Sequence, residues 1–248
     1  MPFCTNCGTR LEVESSFCVG CGRSLGAATR KMAAVAAPAA APEPLEYTIQ
    51  GENLQVVRIR LKPGQEVFAE AGRLVYKFPE VQSEALANGN GSLARFYATS
   101  SSEVGFAGAS PGRIQTFHLK DGQSMLVACE ALLCAQATAR LDVEPVAKPG
   151  VEELTLKRLT GPGTMFIHGG GDFIEFVLNP GQAIQVEPSA IVAFDDAVGY
   201  GIEPESPAGE GRPLATLTGP GRVLIQSMRA GKLQRTAVEH DAVPAMSL

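Results

Sequence analysis

The sequence predicts an all-β protein, and three observations carry that prediction. Gly and Pro number 27 and 17 among 248 residues, so the chain turns often, which suits many short strands. Apolar and polar residues alternate at period two over much of the chain, the pattern of strands with one buried face. A block of about 58 residues is also written three times.

The three copies are "LKPGQEVFAEAGRLVY" (Leu61–Tyr76), "LKDGQSMLVACEALLC" (Leu119–Cys134) and "LNPGQAIQVEPSAIVA" (Leu178–Ala193). They align without gaps at offsets of 58 and 59 residues. Each reads as a strand, a tight turn, a strand, a bend and a strand. Pro63-Gly64 and Pro180-Gly181 suit the middle of a type II turn, and Asp121-Gly122 suits a hairpin turn. Before the turn the apolar positions are Val56/Ile114/Phe173, Ile59/Phe117/Phe176 and Leu61/Leu119/Leu178. After it they are Val67/Met125/Ile184, Ala69/Val127/Val186 and Leu74/Leu132/Ile191. The last trio is expected to face one shared interior, with Arg73 pointing away.

The phrase "LTGPG" occurs at Leu159–Gly163 and at Leu217–Gly221, with a diverged "SSEVGFAG" at Ser101–Gly108. It reads as the joint leading from one unit to the next. "NGNGS" (Asn88–Ser92) reads as an exposed hairpin tip. The repeat cores fall near 54–76, 112–134 and 171–193, inside a body spanning 45–248. One unit cannot bury its apolar face alone, whereas three stacked or ringed units share a core. Repeated sheets leave edges to be closed or paired, which opens a route to a homo-oligomer.

Ahead of this body stands "FCTNCGTRLEVESSFCVGCGRSL", residues 3–25. Cys4 and Cys7 form one CxxC, Cys18 and Cys21 another, each followed by Gly. Four thiolates at this spacing make a closed, structural Zn²⁺ site with no open position for water. Phe3, Leu11, Val13, Phe17 and Leu25 are too few for a core, so the metal supplies the folding energy of a ribbon over 1–25. Residues 26–44 are an Ala/Pro tether, where Pro38, Pro42 and Pro44 interrupt any helix.

The formal net charge is −5, distributed unevenly. Residues 1–31 carry Arg10, Arg23, Arg30 and Lys31 against Glu12 and Glu14, a net +2 that leaves −7 for the rest. An acidic body repels phosphate backbones and argues against a nucleic-acid surface there. No apolar run reaches membrane-spanning length, since Met125–Ala139 is interrupted by Glu130 and Gln136. The N-terminus lacks the basic and apolar regions of a signal peptide, so a cytoplasmic protein with reduced thiols is expected.

"VFAEAGRLVYKFPEV", "PGRIQTFHLKDGQSMLVACEALL" and "FVLNPGQAIQVEPSAIVAFDDAVGY…LTGPGRVLIQS" resemble the bacterial branch of the altered-inheritance-of-mitochondria family. The resemblance covers Tyr47 to Ser227 and rests on "FAEAG", "VAFD" and "GPGxVxIQS". It implies a double-stranded β-helix or β-prism body of the TRAP-like type, with no established catalytic residues. It also implies association of some members with membrane-organising or stress-related systems, which leaves peripheral membrane association open. A zinc ribbon precedes this domain in some bacterial members.

Several patterns imitate active sites. "GASPG" (Gly108–Gly112) and "HGGG" (His168–Gly171) together suggest a serine hydrolase. In that machinery the residue after the nucleophile donates its N–H to the oxyanion, and here it is Pro111, which has none. His118 sits in a strand as a structural histidine. Asp195 and Asp196 are adjacent in a strand or turn and so point apart. Cys129 and Cys134 fall on or beside the apolar lattice as buried thiols.

The sequence therefore predicts a non-enzymatic scaffold or protein-binding module with a zinc ribbon. The rival reading is a nucleic-acid-binding regulator acting through the ribbon. Elemental analysis of the purified protein should find about one Zn²⁺ per chain, lost on combining Cys4→Ser with Cys21→Ser. A folded, metal-free N-terminus would contradict the assignment.

Overall fold

The structure is a computed structural model, and it describes residues 42–86, 93–145, 155–203 and 214–228. The four predicted zinc ligands, the tether up to residue 41 and the "NGNGS" stretch lie outside the described residues.

Among the described residues the regular structure is strand, joined by turns and two short 3-10 turns at Ala71–Arg73 and Pro188–Ala190. No helix there is long and apolar enough to cross a membrane. The first unit holds β1 (Glu46–Gln50), β2 (Val56–Leu61), β3 (Glu66–Glu70), β4 (Leu74–Lys77), β5 (Val81–Ala85), β6 (Leu93–Ala98) and β7 (Ser102–Ala107). The second holds β8 (Gly112–Leu119), β9 (Ser124–Ala128), β10 (Leu132–Gln136), β11 (Arg140–Pro145), β12 (Thr155–Thr160) and β13 (Gly163–Gly170). The third holds β14 (Phe173–Leu178), β15 (Ala183–Val186), β16 (Ile191–Asp195), β17 (Gly199–Glu203), β18 (Leu214–Thr218) and β19 (Gly221–Gln226).

Antiparallel pairing recurs at the aligned positions. One triplet is β2-β7-β4, then β8-β13-β10, then β14-β19-β16. The other is β3-β6-β5, then β9-β12-β11, then β15-β18-β17. A bulge falls at the same place in each copy: between Leu74 and Tyr76, Leu132 and Cys134, and Ile191 and Ala193.

The units are joined by shared sheets. β10 of the second unit pairs with β3 of the first, Cys134 opposite Ala69 and Gln136 opposite Val67. β16 of the third pairs with β9 of the second, Ala193 opposite Val127 and Asp195 opposite Met125. Two six-stranded sheets result, flanked by a four-stranded sheet β1-β2-β7-β4 and a three-stranded sheet β15-β18-β17. These sheets are open. Among the described strands β4 pairs only with β7, and β15 only with β18, so the pairing does not draw a closed β-helix or prism.

The Gly-Gln signature has a physical role. Gly64, Gly122 and Gly181 have φ of +86°, +71° and +78°, a region that costs other residues strain. The next residue's N–H closes each turn: Gln65 N donates to Lys62 O at 2.9 Å, Gln123 N to Lys120 O at 3.0 Å, and Gln182 N to Asn179 O at 3.0 Å. The Gln side chain reaches back to accept the N–H of the same first residue, at 3.1, 3.1 and 3.0 Å. Two expectations change here. The Asp121-Gly122 turn is not a hairpin, because β8 and β9 lie in different sheets. The "LTGPG" phrase is not a joint between units either. Its cis Gly161-Pro162 and Gly219-Pro220 bonds lie where β12 leads to β13 and β18 to β19, crossing between sheets within one unit.

Burial follows most of the lattice and fails along β4 in the first unit and β14 in the third. Ile59 is 0% exposed, Phe117 8% and Phe176 36%. Leu132 and Ile191 are buried, whereas Leu74 is only half-buried. Arg73 does not point away. Its Nη2 donates to Glu130 O of the second unit at 2.6 Å, and its Nε lies 3.8 Å from Glu70. Leu132→Ala and Ile191→Ala should each cost roughly 2–5 kcal/mol in denaturant titration, the range for emptying a packed site. Leu74→Ala should cost clearly less, and an equal loss at all three would contradict this gradient.

Candidate functional site

The side chains singled out in the sequence are dispersed and already engaged. His118 is exposed on β8, its Nδ1 3.1 Å from Thr164 Oγ1. Asp195 accepts from Arg222 N, Nε and Nη2, whereas Asp196 pairs with Arg158. The two neighbouring carboxylates thus serve separate ion pairs. Cys134 is fully buried, and burial pushes its thiol well above the ordinary range. Cys129 is only half-buried, because it sits in the turn before β10 rather than in the strand; burial still raises its pKa. Among the described residues no group of three or more His, Cys, Asp or Glu could hold a metal.

"GASPG" and "HGGG" do meet in space. β8 and β13 pair with Gly112 opposite Gly170. The His168 ring lies on Gly108, where a Cβ would come within 2.3 Å of it. That contact requires glycine and explains the motif by packing. His168 is 7% exposed, and its hydrogen bond goes to the backbone of Ser110. Burial, aided by the Arg73 charge, lowers its pKa from 6.5. The imidazole is thus a neutral wedge between the first and second units.

One polar contact at this junction has no motif in the sequence to mark it. Lys157 of β12 has a side chain 8% exposed, and its ammonium pairs with Glu70 of β3 and donates to Cys129 O at 3.3 Å. A lysine in "LTLKRL" reads as the outward face of a strand. Only the sharing of sheets between units buries it.

The exposed apolar surface has a clearer pattern. The large exposed hydrophobics among the described residues are Leu54, Val75, Phe78, Ile174, Phe176 and Val177. Val75 and Phe78 belong to β4 and the residue after it, at the free edge of the first unit. Ile174, Phe176 and Val177 belong to β14, in the last unit. There a groove of about 640 Å³ opens between β14 and β15, lined by Ile174, Phe176, Ile184, Val186, Ala190 and Ile225 among others. The counterparts of Phe176 and Ile184 in the other units, Ile59, Phe117, Val67 and Met125, are all buried. Sequence periodicity marks these positions as core and cannot show that, among the described residues, no strand covers them in the last unit.

The model for the family described as mitochondrial biogenesis AIM24 matches residues 47–228. The chain belongs to the AIM24 family. A zinc-ribbon domain model matches residues 3–25, the segment holding Cys4, Cys7, Cys18 and Cys21. Comparison with curated proteins gives no match. Among solved structures, protein SPYM3_0169 from Streptococcus pyogenes is similar at 21% identity and a TM-score of 0.69. The match covers 79% of this chain and 99% of that one, and at this identity it speaks for the fold alone. The expected family membership and the all-β class of this AIM24 chain therefore stand.

The lowered pKa of His168 has a consequence for stability. Below 6.5 the unfolded chain binds a proton that the folded site resists, so stability falls as pH drops through that value toward the depressed one. His168→Gln should make the decline between pH 7 and about 5 shallower in thermal melts. An unchanged slope would mean that His168 does not contribute.

Proposed function

We propose that this chain is a non-enzymatic scaffold of the cytoplasm that binds protein partners through the ends of its β body and carries a zinc ribbon as a second module. The three units are copies of one TRAP-like element joined by shared sheets, as in a β-helix or prism left open on one side. The observation that carries the reading is where the apolar surface lies: beside unpaired strand edges at the two ends of the body. Patches of this kind beside open edges are what protein partners use. The polar clusters lend weight to the same side, because His168, Lys157, Asp195 and Asp196 are each tied into structural contacts. Cys4, Cys7, Cys18 and Cys21 would hold one Zn²⁺ in the ribbon, giving it a fold and the chain a second contact surface.

Affinity capture with the full chain tests the reading. Wild-type protein should retain a defined partner, and Phe78→Glu or Ile174→Glu should lose it. Retention by both variants but not by Cys4→Ser/Cys21→Ser would move the function to the ribbon. Catalytic turnover abolished by His168→Gln would contradict the scaffold.

A further inference from the structure

We infer that the two ends of the body are complementary, and that β4 of one copy adds to β15 of a second copy, head to tail. This deepens the scaffold reading and rests on it.

The argument begins with the internal junctions. Each uses the same pair of edges: the strand after the bend in one unit and the strand after the turn in the unit before it. β10 meets β3 in this way, and β16 meets β9. The strand after the bend in the first unit is β4, and the strand after the turn in the third is β15. Among the described strands both keep one unpaired edge. Carrying the observed register forward by the repeat offsets places Tyr76 opposite Val186, Lys77 opposite Gln185 and Phe78 opposite Ile184.

Side chains follow from register, because residues directly opposite in a sheet share a face. At the first junction Cys134 and Gln136 lie on the face of Ala69 and Val67, and both are buried. The cluster around Val57 and Ile59 takes in Leu133, Cys134 and Phe166 from the second unit. A following unit thus completes the core of the one before it. Among the described residues no strand follows the third unit in this way, and its groove beside Ile184 and Val186 is open. The incoming β4 would put Phe78, 51% exposed in a single copy, on the face of Ile184. Exposed apolar surface on the two ends would be covered in one step.

The contact is modest. Pro79 has no N–H, so the counterpart of the Ala137 N to Glu66 O bond at the first junction is missing. Lys77 and Pro79 are also residues that guard free edges. Assembly should therefore depend on concentration. It is heterologous, so it yields rings or open chains rather than an isologous dimer.

Light scattering coupled to size exclusion, on the full chain over a range of concentrations, tests the inference. Wild-type mass should rise above the monomer with concentration. Phe78→Glu blocks one end and Ile174→Glu the other, and each alone should remain monomeric. An equimolar mixture should give a heterodimer and nothing larger, because each variant keeps one intact end. Leu54→Glu, an exposed apolar site away from both ends, should behave as wild type. A wild type monomeric at every concentration, variants that keep the wild-type mass, or a mixture that stays monomeric would each overturn the inference. Continued capture of a defined partner by Phe78-dependent binding in that event would leave the scaffold reading standing.

Discussion

The structure depends on one constraint: a strand edge must find a backbone partner. Here that constraint is met by lending strands between units. β10 completes the sheet of β3, and β16 completes the sheet of β9. Each shared sheet satisfies hydrogen bonds along an edge that would otherwise face water and invite aggregation. Each also carries apolar side chains across, so that Leu133, Cys134 and Phe166 of one unit lie in the core of another. Burial of an aliphatic or aromatic side chain contributes about 1.5–3 kcal/mol, so these loans dominate the polar contacts beside them.

The polar contacts at the junctions set geometry more than stability. Arg73 reaches Glu130 O, Lys157 pairs with Glu70, and His168 fits against Gly108 and Ser110. Arg222 lies over the Phe117 ring, 5.5 Å from its centre, and so links the third unit to the second. The part-buried pair Lys157–Glu70 returns little beyond its desolvation cost, but an incorrect register would leave the buried lysine without its partner. The same contacts account for residues that resemble a hydrolase in the sequence and serve as packing in the fold.

Much of this was legible in the sequence. The gapless alignment located the three turns, and Gly64, Gly122 and Gly181 take the backbone angle their positions implied. The lattice positions Leu61, Leu119, Leu178, Ala69 and Val127 are all buried. The connectivity was less legible, because period-two alternation tells which side chains share a face and not which strand lies alongside. Gly-Pro-Gly looks the same whether it joins two units or two sheets of one unit, and "LTGPG" does the latter. Position in the array was also hidden. Leu74 and Leu132 are the same residue in the same local phrase, and they differ because, among the described strands, β10 has neighbours on both sides while β4 has one.

Hydrogen–deuterium exchange on the full chain, at low and high protein concentration, tests the central claim most directly. Strands held by a loan should exchange slowly at both concentrations, which covers β3, β9, β10 and β16. β4 and β15 should exchange fast when dilute and slow when concentrated, as each acquires the partner its internal counterparts already have. Protection of β4 and β15 equal to that of β10 and β16 at the lowest concentration would contradict the account, because it would place the two ends against each other within a single chain.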